Sequence, residues 1–142
     1  MPGAEPTLLF VYGTLRRGGS NDIARIAPGA QFAGVARLRG RLYDVNGRWP
    51  ALVLDSAAAW VTGELYRIAQ HEWPALDALE NTVTPHNPNG HYFKVAAPVE
   101  TANAVTMDVT VYTANPATTR LVDLIASGDW IDHAARLATP AG

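Results

Sequence analysis

The 142 residues include eleven basic and thirteen acidic side chains and no cysteine. A net charge of −2 gives no broad attraction to nucleic acid or anionic lipid, and the lack of cysteine excludes disulfides, thiolate metal sites and a cysteine nucleophile. A chain this long buries roughly 68–70% of its unfolded surface, so one domain over 1–142 with its own core is expected, and its partner should be a small molecule. No apolar run approaches the roughly 18 residues of a spanning helix, and no signal-peptide pattern is present, so a soluble, cytoplasmic protein is expected. His71, His86, His91 and His133 lack tight ligand spacing, and His86 and His91 read as solvated loop residues, so no metal is expected.

In chain order, residues 1–6 read as a frayed leader with two prolines and a glycine. A strand follows at 7–12, breaking at Gly13 into the cationic, glycine-rich turn Thr14-Leu15-Arg16-Arg17-Gly18-Gly19-Ser20. A glycine there permits positive φ, and the following amides can form a concavity for an oxyanion or carboxylate. On this stretch alone the plainer reading is preferred, a turn with Arg16 and Arg17 in solvent. Ser20-Asn21-Asp22 offers caps for a short helix through Ile23 and Ile26, ending near Pro28-Gly29.

From Phe32 through Val35, Leu38, Leu42 and Tyr43, loose alternation interrupted by Gly34 and Gly40 predicts bulged or bent strands. Asn46-Gly47 predicts a hairpin turn into a strand at 49–54. Residues 61–68 alternate cleanly, with Val61, Leu65 and Tyr66 available to the core. A helix over 73–80 precedes a Pro/Asn/Gly-rich loop at 85–90. Strands at 92–99 and 105–113, joined by a turn at 100–104, then lead to helical spacing over 117–125 and 130–137, broken at Gly128. Strands cluster rather than alternate with helices. The expected class is therefore α+β, a small mixed β-barrel flanked by short helices.

The helix over 73–80 holds a carboxylate in an awkward place. Pro74 suits a first turn, and Trp73, Leu76 and Leu79 define the buried stripe. Glu80 projects onto that stripe near the helix C-terminus, where desolvation and the helix dipole both raise a carboxyl pKa toward that of a general base. Asp77 lies at the edge of the same arc and competes for the role. An equally weighted reading has Glu80 reaching solvent or pairing with Arg67.

The chain resembles the γ-glutamylcyclotransferase-like superfamily in its small, avirulence-induced-protein-like branch. Tyr12-Gly13-Thr14-Leu15-Arg16 after an apolar strand is similar to the signature loop of that family. Gly40-Arg41-Leu42-Tyr43-Asp44 with Pro50-Ala51-Leu52, and Val61-Thr62-Gly63-Glu64-Leu65-Tyr66, match its next blocks. Leu76-Asp77-Ala78-Leu79-Glu80 resembles the helix ending in the catalytic glutamate, which assigns that role to Glu80. Tyr92-Phe93-Lys94-Val95, Val109-Thr110-Val111-Tyr112 and Ser127-Gly128-Asp129-Trp130 complete the order, with Lys94 where the family usually carries arginine.

The resemblance implies that a free α-amine attacks its own γ-carbonyl, closing 5-oxoproline and releasing an amine, with no protein nucleophile, metal or cofactor. Glu80 would move the protons, and the backbone of Tyr12, Gly13, Thr14 and Leu15 would cradle a carboxylate or oxyanion, to which Arg16 could add charge. Tyr92 and Tyr112 would line the pocket or serve as structural rings. The amine stays open between an amino acid, an amine such as lysine, and a γ-glutamyl-protected biosynthetic intermediate. The rival reading is a non-catalytic small-ligand or protein-binding module on the same barrel.

Overall fold

The computed structural model describes residues 7–138, so the leader expected at 1–6 lies outside the described residues. The elements are β1 (Thr7–Val11), α1 (Ile23–Ile26), β2 (Gln31–Val45), β3 (Trp49–Leu54), β4 (Trp60–Ile68), α2 (Trp73–Leu79), β5 (Tyr92–Thr101), β6 (Thr106–Ala114), β7 (Asp123–Leu124) and α3 (Trp130–Ala138). Strands β2, β4, β1, β6 and β5 pair in that order, and β2 meets β5 through Ala36 opposite Thr101 and Arg37 opposite Glu100. The sheet thus closes into a five-stranded barrel. It is mixed because β1 runs parallel to β6 at Leu9 and Thr110, whereas the other pairings are antiparallel.

The apolar run of β1 is explained by burial on both faces. Phe10 and Tyr12 point into the barrel with Leu38, Leu65, Val99 and Val111, whereas Leu9 and Val11 face outward against Ile23, Trp73 and Leu76 from α1 and α2. Full burial of each such side chain contributes roughly 1.5–3 kcal/mol. By contrast β2 alternates over its second half, burying Ala36, Leu38, Gly40 and Leu42 while residues 35, 37, 39 and 41 face solvent. Its register shifts between Phe32 and Gly34, the latter at φ 118°, and Phe32 and Val35 end up exposed. Beyond the barrel, β2 continues into a hairpin with β3, turned by Asn46 and Gly47 at φ 57° and 71°.

The helix expected over 117–125 does not form. The Asn115 side chain accepts from the Ala117 N–H, and its carbonyl accepts from the N–H groups of Thr118 and Thr119. Asp123 and Leu124 then pair with Asp44 and Tyr43, and the Ile125 N–H donates to the Leu42 carbonyl. The helically spaced apolar residues do not share a face: Val122 and Leu124 are exposed and Ile125 is buried. Pairing with β2 overrides a periodicity too short to establish a helix alone. The helix expected at 130–137 is present as α3, and Trp130 joins the barrel cluster. No helix among the described residues is long and apolar enough to cross a membrane.

Candidate active site

The turn after β1 is held by its own carbonyls. Those of Gly13, Thr14 and Leu15 accept from the N–H groups of Arg16 (3.0 Å), Asn21 (2.9 Å) and Ile23 (2.9 Å). The Asn21 side chain also donates to Thr14 Oγ1 at 3.1 Å. Among the described residues the N–H groups of Gly13, Thr14 and Leu15 donate to no main-chain carbonyl, which leaves them as donors for a ligand. Gly13 does not take the positive φ expected of it. Glycine is needed for another reason: a Cβ there would lie 2.5 Å from Cγ and 2.9 Å from Cδ of Pro50 on β3. The left-handed residue of the turn is Gly18, at φ 83°.

Neither Arg16 nor Arg17 lines the cavity: Arg17 is exposed, as the plainer reading expected, whereas Arg16 is withdrawn from solvent. Arg16 is nearly buried, with Nε 3.2 Å from Glu64 Oε2 and one terminal nitrogen 2.8 Å from Asp129 Oδ1. The Arg17 N–H donates to Glu64 Oε1 at 2.9 Å, and its guanidinium lies 4.4 Å from the centre of the Phe32 ring. Tyr66 donates its hydroxyl to Glu64 Oε1 at 2.8 Å, and burial followed by that contact pushes the phenol up to about 12. The arginines therefore anchor the turn to β4.

On the facing side, α2 ends one residue before Glu80, which caps it, its N–H donating to the Leu76 carbonyl. Trp73 and Leu76 are buried as expected, whereas Leu79 is 38% exposed. A helix this short places its final residue beyond the core it packs on, so Leu79 borders the cavity instead. Glu80 is half-buried and lines the cavity. Removal from water pushes its carboxyl up to about 7. Among the described residues its oxygens meet no basic side chain, and the suggested pairing with Arg67 is absent.

Asp77, the competing carboxylate, is committed elsewhere. Its Oδ1 accepts from the Tyr112 hydroxyl at 2.6 Å, and Oδ2 lies 3.3 Å from Lys94 Nζ, which also sits 4.0 Å over the Trp73 ring. Lys94 thus acts on α2 from outside the cavity. Tyr12 donates its hydroxyl to the Tyr112 carbonyl, and Tyr92 donates to the Pro50 carbonyl at 2.6 Å. Burial raises all three phenols well above their ordinary value, with Asp77 adding to the effect at Tyr112 and the charge of Glu80 adding to it at each. At neutral pH they are fixed neutral donors, and each donates to the protein.

The turn and the carboxylate meet in one cavity of about 110 Å³. Its walls include Tyr12, Gly13, Thr14 and Leu15 from the turn, Glu80 and Leu79 from α2, and Tyr92 and Tyr112 from β5 and β6. Asn21, Trp49 and Pro50 also line it and were not expected there from the sequence; Asn21 was legible only as a helix cap, whereas Asp22 holds that place. Among the described residues Glu80 is the only charged one of the lining. A carboxylate titrating near neutrality can take up and return a proton, and free amides opposite it can hold a negative oxygen. Of the histidines, His91 stacks on Trp49 with ring centres 6.5 Å apart, and His133 lies 2.7 Å from Asp44.

A closed mixed barrel thus brings a glycine turn and a lone carboxylate into one cavity. Residues 9–132 match the model of the family described as gamma-glutamyl cyclotransferase, AIG2-like, and the chain belongs to that family. It is 34% identical over 93 residues to a Halalkalibacterium halodurans protein named as a candidate γ-glutamylcyclotransferase, covering 66% of this chain and 79% of that one. It is 32% identical over 77 residues to the γ-L-glutamyl-butirosin B γ-glutamyl cyclotransferase of Niallia circulans, covering 54% of this chain and 47% of that longer protein. The crystal structure of an AIG2-like protein from Mus musculus superposes with a TM-score of 0.62 at 22% identity, over 85% of this chain and 88% of that one. That likeness shows the fold: the expected class, a small mixed barrel with short helices, is the observed one.

Proposed function

We propose that the protein cyclises the γ-glutamyl group of a γ-glutamyl amine or amino acid to 5-oxoproline. The observation that carries this reading is the carboxyl of Glu80, pushed up to about 7, in the same cavity as the unpartnered amides of residues 13–15. Glu80 takes a proton from the α-ammonium group, freeing the nitrogen lone pair. That nitrogen attacks the γ-carbonyl carbon, a C–N bond forms, and the oxygen becomes an oxyanion within reach of the loop amides. As the oxyanion collapses, the bond to the leaving nitrogen breaks, Glu80 returns the first proton to that nitrogen, and the second proton lost by the ring nitrogen passes to the departing amine, which leaves as its ammonium ion. The products are 5-oxoproline and the free amine, and no water is consumed. Holding the chain folded for ring closure is the loop's second task, with Thr14 and Asn21 fixing its shape. The Niallia circulans relative supports the reading through its name, which gives that protein γ-L-glutamyl-butirosin B as substrate.

Incubating the purified protein with a panel of γ-glutamyl amines and amino acids, and following 5-oxoproline, tests the proposal. Turnover by the native protein should rise with pH through about 7, as Glu80 ionises. No 5-oxoproline from any member, or undiminished turnover by Glu80→Gln, would overturn it and favour a binding module on the same barrel.

A further inference from the structure

We infer that Trp49 and Leu79 form the subsite for the leaving amine and make the protein select apolar amines without a carboxylate. The inference rests on the γ-glutamyl reading above and concerns only the other half of the substrate. Glu80 must reach the leaving nitrogen, so whatever that nitrogen carries starts at the end of α2. Leu79, the residue before Glu80, lies there with 38% of its surface exposed, an unusual placement for a leucine beside a buried helix face. Trp49, at the start of β3, contributes a half-buried indole to the same cavity, backed by the stacked His91 ring. Two accessible apolar side chains from different elements thus share the cavity with the reacting carboxylate.

Charge points the same way. A γ-glutamyl amino acid brings a second carboxylate on its leaving group, and among the described residues no Lys, Arg or His lines the cavity to receive it. Arg16 is held by Glu64 and Asp129, and Lys94 by Asp77 and the Trp73 ring. Arg48 precedes Trp49 in sequence, but it is exposed and outside the lining, and His91 stands against the indole rather than in the cavity. An anion there would lose water against apolar walls and face the charge of Glu80. An uncharged aromatic or alkyl group would instead cover Trp49 and Leu79.

The discriminating pair is γ-glutamyl-phenethylamide and γ-glutamyl-phenylalanine, which differ only in the leaving-group carboxylate, with γ-glutamyl-methylamide as the small reference. The native protein should show kcat/KM about tenfold or more higher for the phenethylamide than for either of the others, the scale at which one pocket contact discriminates. Trp49→Ala should remove most of the advantage of phenethylamide over methylamide. Leu79→Arg, at an exposed position that leaves the core untouched, should move the preference toward γ-glutamyl-phenylalanine. Equal or better use of γ-glutamyl-phenylalanine by the native protein, or an unchanged preference in Leu79→Arg, overturns the inference and leaves the cyclisation reading standing. Failure to release 5-oxoproline from all three overturns both. Should Trp49→Ala not fold, Leu79→Arg decides alone.

Discussion

Two glutamates flank the same turn, and their surroundings are opposite. Glu64, on β4, is buried with every neighbour arranged for a negative charge: the Arg16 guanidinium, the Arg17 N–H and the Tyr66 hydroxyl. Glu80, at the end of α2, is surrounded by Tyr12, Tyr92, Tyr112 and Leu79, and the three phenols donate elsewhere. Burial with partners makes a carboxylate a structural tie; burial without them leaves a proton acceptor poised near neutrality. The same loop is thus fastened on one side by a charge that is satisfied and faced on the other by one that is not.

The largest expected effect separates the two glutamates. Glu80→Gln should lower kcat by about 10² to 10⁴-fold, as removal of a positioned base does, yet it should stabilise the fold above neutrality. The sign follows from the proton balance. Glu80 titrates at about 7 in the folded protein against 4.5 normally, so the folded state binds the proton more tightly. Native stability therefore falls as pH rises from the lower value to the higher, and the full penalty is present above both. Thermal or urea melts at pH 8 should show Glu80→Gln more stable than the native protein by on the order of 2 kcal/mol, with no difference at pH 4.

Glu64→Gln should do the reverse. Breaking a buried pair while Arg16 stays in place should cost about 3 kcal/mol in melts, and the folded fraction should keep the pH profile of the native protein. A shifted profile would mean that Glu64 also tunes the cavity. Gly13→Ala comes next: the new methyl group must displace Pro50, at a cost of about 1–3 kcal/mol. Because Pro50 also receives the Tyr92 hydroxyl, activity at equal folded fraction should drop as well. Tyr112→Phe is the mildest, losing one hydrogen bond to Asp77 for about 1 kcal/mol; a kcat loss comparable to that of Glu80→Gln would assign the phenol a chemical role that its geometry does not suggest.

Much of this comparison was legible in the sequence and some was not, for physical reasons. The positions of β1, β4, β5, β6 and α2 follow from periodicity and turn residues, and Glu80 stands out because a carboxylate interrupts an apolar stripe. Glu64 does not stand out, because a charged residue in an alternating strand looks the same whether it faces water or an arginine 48 positions away. Gly13 was legible as necessary but for the wrong cause, since close approach by Pro50 is a tertiary fact. The missing helix at 117–125 fails for a related reason: its apolar spacing was real, but β2 offered hydrogen bonds that an isolated short helix could not match. Leu79 was misread because periodicity places a residue on a face without saying where the neighbouring core ends.

The parallel seam between β1 and β6 sets the order in which the molecule can be born. Leu9 pairs with Tyr66 on β4, but its parallel partner, Thr110, comes much later in the chain, and Tyr12 donates its hydroxyl to the carbonyl of Tyr112. At about 5–20 residues per second, a ribosome takes roughly 5–20 s to travel from the glycine turn to the strand that secures it. During that interval residues 8–11, apolar on both faces, have only a partial sheet to join. The first part of the site to be synthesised is therefore among the last to be built, and nascent chains arrested before residue 106 should present β1 to chaperones rather than a cavity to substrate.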